Sequence, residues 1–508
     1  MRRRIMQIIL NRSMSYRLHL FLACFILLMM NSCTDASEKK NLSYEISHKK
    51  NSKDALLQID MNFEASEDGT TTLIYQDKAW GQDSLFNSIG DIRLLSEGKL
   101  KIERDSNKIV VEHDPSMERL KISYTLTQDY TGPTTSRKVY RPIIQPEYFQ
   151  VFGQNLLILP ESATNNEAFD LSITWKIPEK DFSLQSSFGN HQRKQIIRDV
   201  TQDELYSSVF VGGDFRIHDM DLEGNQVAFA IRDTWEAFDD STMVELLKTT
   251  LMAQRKFWND HSQPYFSVTM IPIFEPNGSS WQGTGLTNSF ALAASNNEYL
   301  EVEGLVYLLN HELQHNWIGL TIKNDNEEEQ YWFSEGFTDY YTLKNIAINR
   351  IFDLDEKYFI QQFNSKLKNL YESPVVASPN SEINYDNFWK DRHYSDLPYL
   401  RGAVFAFILD RQIQRDSMGR KSLDDVMKQF HENSDTKLSH PYFVKTVNPY
   451  LKEDFEPFFN RHIVDGEPFE MEAIFKDLDL DYQVADSIPQ LSDTPLNISK
   501  LGFTSPAP

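Results

Sequence analysis

The sequence predicts a multidomain protein in which an N-terminal β-sandwich precedes an α+β domain and a C-terminal helical region. Three observations predict it. The chain has 508 residues, more than one hydrophobic core organises. Between about Ala55 and Ser187 apolar residues recur at every second position, the mark of half-buried strands. From Met243 onward the apolar period lengthens to that of amphipathic helices. A 40% hydrophobic, 12% aromatic composition excludes a disordered chain, and a mean hydropathy of -0.48 excludes a polytopic membrane protein. The net charge of -23 argues against nucleic acid as a partner, because a polyanion meets a repulsive field.

The elements follow in order. Residues 1–32 read as a signal peptide. Arg2, Arg3, Arg4, Arg12 and Arg17 precede the apolar run Leu18–Met30, which at 13 residues is too short to span a bilayer comfortably. The run ends in Met30-Asn31-Ser32-Cys33, which resembles a bacterial lipoprotein box. The only other cysteine, Cys24, lies inside the run, so cleavage leaves Cys33 alone to carry lipid and no intrachain disulfide can form. The expected location is the bacterial cell envelope, anchored by lipid to a membrane, the outer one with a periplasmic or surface face. A signal anchor, or an ordinary cleaved signal with an incidental Cys33, is the alternative.

Residues 33–54 are polar and read as a tether. Residues 55–200 read as the sandwich: Leu100/Ile102, Ile109/Val111, Leu120/Ile122/Tyr124/Leu126 and Leu171/Ile173/Trp175 alternate, with turn residues between them. The charged, aperiodic stretch Phe188–Asp203 suggests a boundary. In 201–345, Met243–Trp258 reads as an amphipathic helix, and Tyr265–Phe274 and Thr287–Ala294 as buried strands. Helical patterns follow at Gly304–Leu320 and Tyr331–Leu343, and in 346–482 at Phe352–Leu370, Ala403–Gln414 and Leu423–Phe430. Residues 483–508 are proline-containing and read as an irregular tail.

The chemistry lies in His311-Glu312-Leu313-Gln314-His315, an H-E-x-x-H sequence. On a helix, positions i and i+4 share a face, so both imidazoles reach one metal. Glu312 is about 100° round the helix, beside the metal, where it can take a proton from the attacking water. A catalytic zinc needs a third protein ligand, and Glu335 in Trp332–Tyr341 is the natural candidate. Asn326 with Glu329 fits a capping box opening that second helix. Asp339, one turn beyond Glu335, is placed to accept the outer N–H of a ligand histidine; a solvated helix face is the alternative.

These residues resemble the gluzincin metallopeptidases. His311–Gly319 is similar to the alanyl-aminopeptidase family, which includes leukotriene hydrolase, and Trp332–Tyr341 to the glycyl-aminopeptidase family. Gly285–Ser289, Ser422–Val426 and Phe458–Arg461 with Gly466-Glu467 extend the resemblance over about Tyr206 to Tyr482. It implies a thermolysin-like α+β catalytic domain followed by helices. It also implies one Zn2+ per chain and an oxyanion-stabilising tyrosine in a Tyr-x-(Lys/Arg)-Gly motif, met here by Tyr399-Leu400-Arg401-Gly402. Members hold the substrate's α-ammonium with a glutamate before the metal helix. Gly285, Leu286, Thr287 and Asn288 stand there as the expected substrate-binding residues, and the neutral Thr287 leaves exo- versus endopeptidase specificity open. Thr287–Ala294 is the expected edge strand for pairing with substrate.

The resulting expectation is zinc-dependent hydrolysis of a peptide or protein substrate in the envelope, with Glu312 as base and Tyr399 on the oxyanion. Oligomeric state is open. The alternatives are an inactive lipoprotein that uses the fold as a binding module, and a zinc hydrolase of non-peptide substrates.

Overall fold

The computed structural model describes residues 41–164, 167–180 and 182–501. The segment read as a signal peptide, with Cys24, and the expected lipid site Cys33 lie outside the described residues. Among the described residues no helix is long and apolar enough to cross a membrane.

The N-terminal half is the expected sandwich. A six-stranded sheet runs in the order Lys194–Val200, Phe169–Trp175, Asn41–Lys50, Ala55–Glu64, Arg119–Leu126, Ile89–Leu94. It faces a four-stranded sheet of Leu159–Pro160, Thr70–Ile74, Lys108–Glu112 and Lys99–Glu103. The alternation explains the packing: Leu57, Ile59, Met61 and Phe63 enter the shared core while Gln58, Asp60 and Asn62 face outward. Two buried tyrosines satisfy their hydroxyls on main chain, Tyr44 on the Ile158 carbonyl at 2.6 Å and Tyr124 on that of Leu156 at 2.8 Å.

Four boundaries move, the first three in this half and the tail. Residues 33–54 are not all tether, because Asn41–Lys50 is an inner strand, parallel to Phe169–Trp175 and antiparallel to Ala55–Glu64. Only Leu42, Tyr44 and Ile46 point inward, and three apolar residues among polar ones left little pattern to read. The division at 200/201 falls inside a third sheet, where Val209–Gly213 lies between Ser183–Ser186 and Tyr148–Phe152. The charge that suggested a break is the exposed side of Lys194–Val200. Residues 483–508 are not simply irregular: Tyr482–Ala485 and Ile488–Leu491 form a hairpin, and Pro495–Leu501 a helix. Asn364 brackets the hairpin by bonding both the N–H and the C=O of Leu491 at 2.8 Å.

The C-terminal half holds a five-stranded sheet in the order Arg216–Leu222, Asn225–Ile231, Tyr265–Ile273, Ser289–Ser295, Trp281–Leu286. The expected edge strand Thr287–Ala294 is thus interior. Ser289–Ser295 pairs on both sides, and Trp281–Leu286 is the edge. Helix α1 (Asp240–Trp258), started by Asp239 accepting the Thr242 N–H at 2.9 Å, and helix α2 (Val302–Gln314) pack on this sheet. Next come α3 (Glu327–Ser334), α4 (Gly336–Asn349), α5 (Glu356–Glu372), α6 (Arg392–Ser417) and α7 (Leu423–Glu432), which share the C-terminal helical core. Because α4 continues to Asn349, the division at 345/346 falls within a helix.

Candidate metal centre and substrate cleft

Helix α2 buries Leu305, Val306, Leu309 and Leu313 completely, and that burial fixes the rotation of the helix. The rotation turns His311 and His315, in and just after its last turn, to the opposite side. Glu335 is presented from the junction of α3 and α4. Asn326 begins α3, but the expected capping box is absent: its N–H bonds Gln330 Oε1 at 3.0 Å, and its own side chain makes no cap.

The three groups meet. His311 Nε2 and His315 Nε2 are 3.2 Å apart and lie 3.3 and 3.5 Å from Glu335 Oε2. Two ligands about 2.0–2.1 Å from a tetrahedral ion sit about 3.4 Å apart, so this triangle has the dimensions of a zinc site. Glu335 Oε2 is buried without a hydrogen-bond partner in the protein, an orphan that a cation satisfies. Among the described residues this is the one cluster with such geometry. The donor set of two imidazoles and a carboxylate fits Zn2+.

The outer nitrogens are also held. His311 Nδ1 faces Asp339 Oδ1 at 2.9 Å and His315 Nδ1 the Ile318 carbonyl at 3.0 Å. Both bonds place the proton on Nδ1 and aim the Nε2 lone pairs at the triangle. Asp339, expected in this role, is 1% exposed and also receives the Tyr307 hydroxyl and the Lys366 ammonium. Burial works against protonation of His311, but the Asp339 and Glu335 carboxylates outweigh it and push its pKa up to about 10. Burial pushes the Glu335 carboxyl up, yet the adjacent His315 and His311 imidazoles hold it far below the carboxylate range. Glu312 moves the other way: burial raises it, and the histidine charges and the Gly285 N–H only temper the rise.

Close backbone contacts set the remaining pieces. A Cβ on Gly283 would lie 2.5 Å from the Phe290 ring and 3.0 Å from Glu312 Cγ, so only glycine lets the edge strand pass Glu312. A Cβ on Gly336 would lie 2.3 Å from the Cα of Gly402. That contact draws α6 against the ligand junction and brings Tyr399 over the site, its ring stacked 5.8 Å from that of His311. Burial, then the Glu335 and Glu312 charges, raise the Tyr399 hydroxyl well above its usual pKa, so it remains a donor.

A cleft with two lobes flanks His311, Glu312 and Tyr399. One lobe, of about 1000 Å³, takes in Trp80, Tyr140, Trp281, Glu372, Trp389 and His393; the other, of about 1090 Å³, takes in Arg137, Leu320, Glu327, Phe388 and Asp396. Of the four expected substrate-binding residues only Gly285 lines the cleft. Leu286 is buried, Asn288 forms a turn at φ 48°, and Thr287 bonds the Glu204 and Ser207 carbonyls, both at 2.7 Å. Gln282 faces the cleft instead, and its Oε1 has no partner. Sequence reasoning also missed Tyr140, which reaches in from the N-terminal half to bond the Gly283 carbonyl at 3.2 Å, and the Asp339 partners Tyr307 and Lys366. Lys366 had one signal, a lysine directly beside the inward row Phe359, Phe363, Leu367 and Leu370.

Residues 245–470 match the profile of the Peptidase family M1 domain. The fold is similar to the crystal structure of an aminopeptidase N family protein from Idiomarina loihiensis, with a TM-score of 0.72 at 17% identity over 89% of this chain and 82% of that one. At that identity the likeness speaks for the fold.

Proposed function

We propose that this chain, whose residues 245–470 match the Peptidase family M1 domain, hydrolyses peptide bonds with one zinc ion held by His311, His315 and Glu335. The triangle of Nε2, Nε2 and Oε2, 3.2 to 3.5 Å on a side, carries the reading. Zinc, when bound, supplies Lewis-acid polarisation and lowers the pKa of a water. The rest falls to the protein. Glu312, its basicity raised by burial, accepts the proton of the attacking water and returns it to the leaving amine. Tyr399 donates a hydrogen bond to the oxygen that gains charge in the transition state. The edge strand Trp281–Leu286 offers its free side to the substrate backbone.

Specificity follows from the cleft. It extends to both sides of Glu312, and the neutral Gln282 lines it. Asp396 is paired with Arg392 at 3.3 Å, Glu372 with Lys368 at 3.8 Å, and Glu327 with Asn324 at 2.8 Å. The substrate is therefore a peptide whose free N-terminus is not required. Lipid on Cys33 would hold the protein in the bacterial envelope, and a Cys33→Ser variant expressed in bacteria should then leave the membrane fraction.

The rival reading is a binding module with a silent site. A peptide-library digest read by mass spectrometry separates the two, with Glu312→Gln as control: cleavage that disappears in Glu312→Gln with zinc retained supports hydrolysis. No cleavage by the zinc-loaded protein leaves the module.

A further inference from the structure

A smaller cavity of about 260 Å³ lies behind the metal helix, enclosed by α1, α2, α4 and α7. Its link to the metal centre is Gln314, the residue before His315. The Gln314 side chain lines the cavity, is 1% exposed, and leaves Oε1 with no partner in the protein. A buried amide oxygen without a bond is destabilising until a donor reaches it. Its neighbours do not satisfy it. The Asn345 amide is committed to Asn310 Oδ1 at 2.7 Å, and that of Asn349 to Asn345 Oδ1 at 2.9 Å.

The walls divide by chemistry. Ala253, Phe257 and Ile348 give an apolar side. Asp424 adds a carboxylate, one oxygen of which already takes Lys344 at 2.6 Å and the Tyr341 hydroxyl at 2.9 Å. Lys344 is spent on Asp424 and Asp410. Two further cations, Lys256 and Lys428, are exposed and line the cavity, and Lys428 lies 5.2 Å over the Phe257 ring. The site therefore offers acceptors from Gln314 and Asp424, two cations from Lys256 and Lys428, and apolar contact between them. At about 30 Å³ for each water-sized group, the cavity holds roughly eight or nine non-hydrogen atoms.

We propose that this cavity binds a free α-amino acid with an apolar side chain. The ammonium would donate to Gln314 Oε1 and the Asp424 carboxylate, the carboxylate would meet Lys256 and Lys428, and the side chain would lie against Phe257 and Ile348. A molecule with only one of the two charges satisfies half the site. The binding claim rests on this cavity alone. Its meaning as a site coupled to the metal centre, through Gln314 beside His315, rests on the peptidase reading above.

The test is calorimetric titration of the mature, zinc-loaded protein with L-leucine, N-acetyl-L-leucine and L-leucinamide, repeated on the double variant Lys256→Ala/Lys428→Ala. Neither lysine touches the metal centre or its cleft. Saturable binding of L-leucine is expected, with both blocked analogues and the double variant weaker by about tenfold or more. Gln314→Leu should weaken binding likewise, and the exposed lysines keep the test decisive if that buried change impairs folding. Absence of saturable binding up to about 10 mM overturns the proposal. So does equal affinity in the parent and the double variant, which would assign the ligand to the catalytic cleft. Neither result bears on peptide cleavage, so failure here is distinct from failure of the peptidase reading.

Discussion

Asp339→Asn is the sharpest probe of how the metal centre is built. The carboxylate is 2% exposed and receives the His311 imidazole, the Tyr307 hydroxyl and the Lys366 ammonium. An amide keeps the size, removes the charge, and leaves Lys366 facing a neutral group near His311. Loss of such an outer partner typically weakens metal binding 10- to 100-fold, equivalent to about 1.4–2.8 kcal/mol. Two effects contribute, and a double-mutant cycle with Lys366→Met separates them. If the stranded cation were the whole cause, Asp339→Asn/Lys366→Met would recover zinc affinity. If the orientation of the His311 tautomer dominates, the double variant stays weak, and this is the outcome expected from the 2.9 Å bond. Zinc affinity would be measured by competition with a chelator, alongside a thermal melt to check folding. A folded Asp339→Asn protein that holds zinc within about twofold of the parent would refute the reasoning.

Three further outcomes follow from the same geometry. Tyr399→Phe should fold normally and lower kcat with little change in KM, at a cost of about 2.7–4 kcal/mol in transition-state stabilisation; a rise in KM at constant kcat would make Tyr399 a binding residue instead. Acetylated and free peptides should differ by less than about tenfold in kcat/KM, and Gln282→Glu should favour the free amine while Thr287→Glu does not, as competition assays with paired peptides would reveal. Asp410 is fully buried between Lys344 at 3.2 Å and Arg411 at 2.7 Å, and their charges overcome burial to hold its carboxyl far below the usual range. A depressed folded-state value means stability that is present above the unfolded pKa of about 3.9 and lost as pH falls below it. Melts should therefore drop below about pH 4, and Asp410→Asn should cost about 3–5 kcal/mol and flatten that drop.

The convergence of His311 and His315 was legible because helix geometry converts a spacing of four into a shared face. Glu335 and Asp339 were legible together in one short helical pattern, and Tyr399 through the family motif it resembles. The edge strand was not. Trp281–Leu286 reads Trp-Gln-Gly-Thr-Gly-Leu, with no apolar alternation, because glycine at 283 is what lets it pass Phe290 and Glu312. Strand order is a property of distant pairing, so the apolar Ser289–Ser295 looked the better candidate and Thr287 was credited with a place it does not hold. Lys366 was hidden for a related reason: its partner Asp339 lies 27 positions earlier in the chain. The strand Asn41–Lys50 was disguised by its polar outer face.

That strand changes the scale of the proposed anchor. A tether running from Cys33 to Asp54 could reach about 75 Å at full extension. With Asn41 already fixed in the six-stranded sheet, the eight steps from Cys33 span at most about 28 Å. A protein lipidated at Cys33 would be held against the bilayer rather than swinging freely from it. Its working volume would be a thin shell at the membrane surface, and the peptides it meets would be those produced or displayed within that shell.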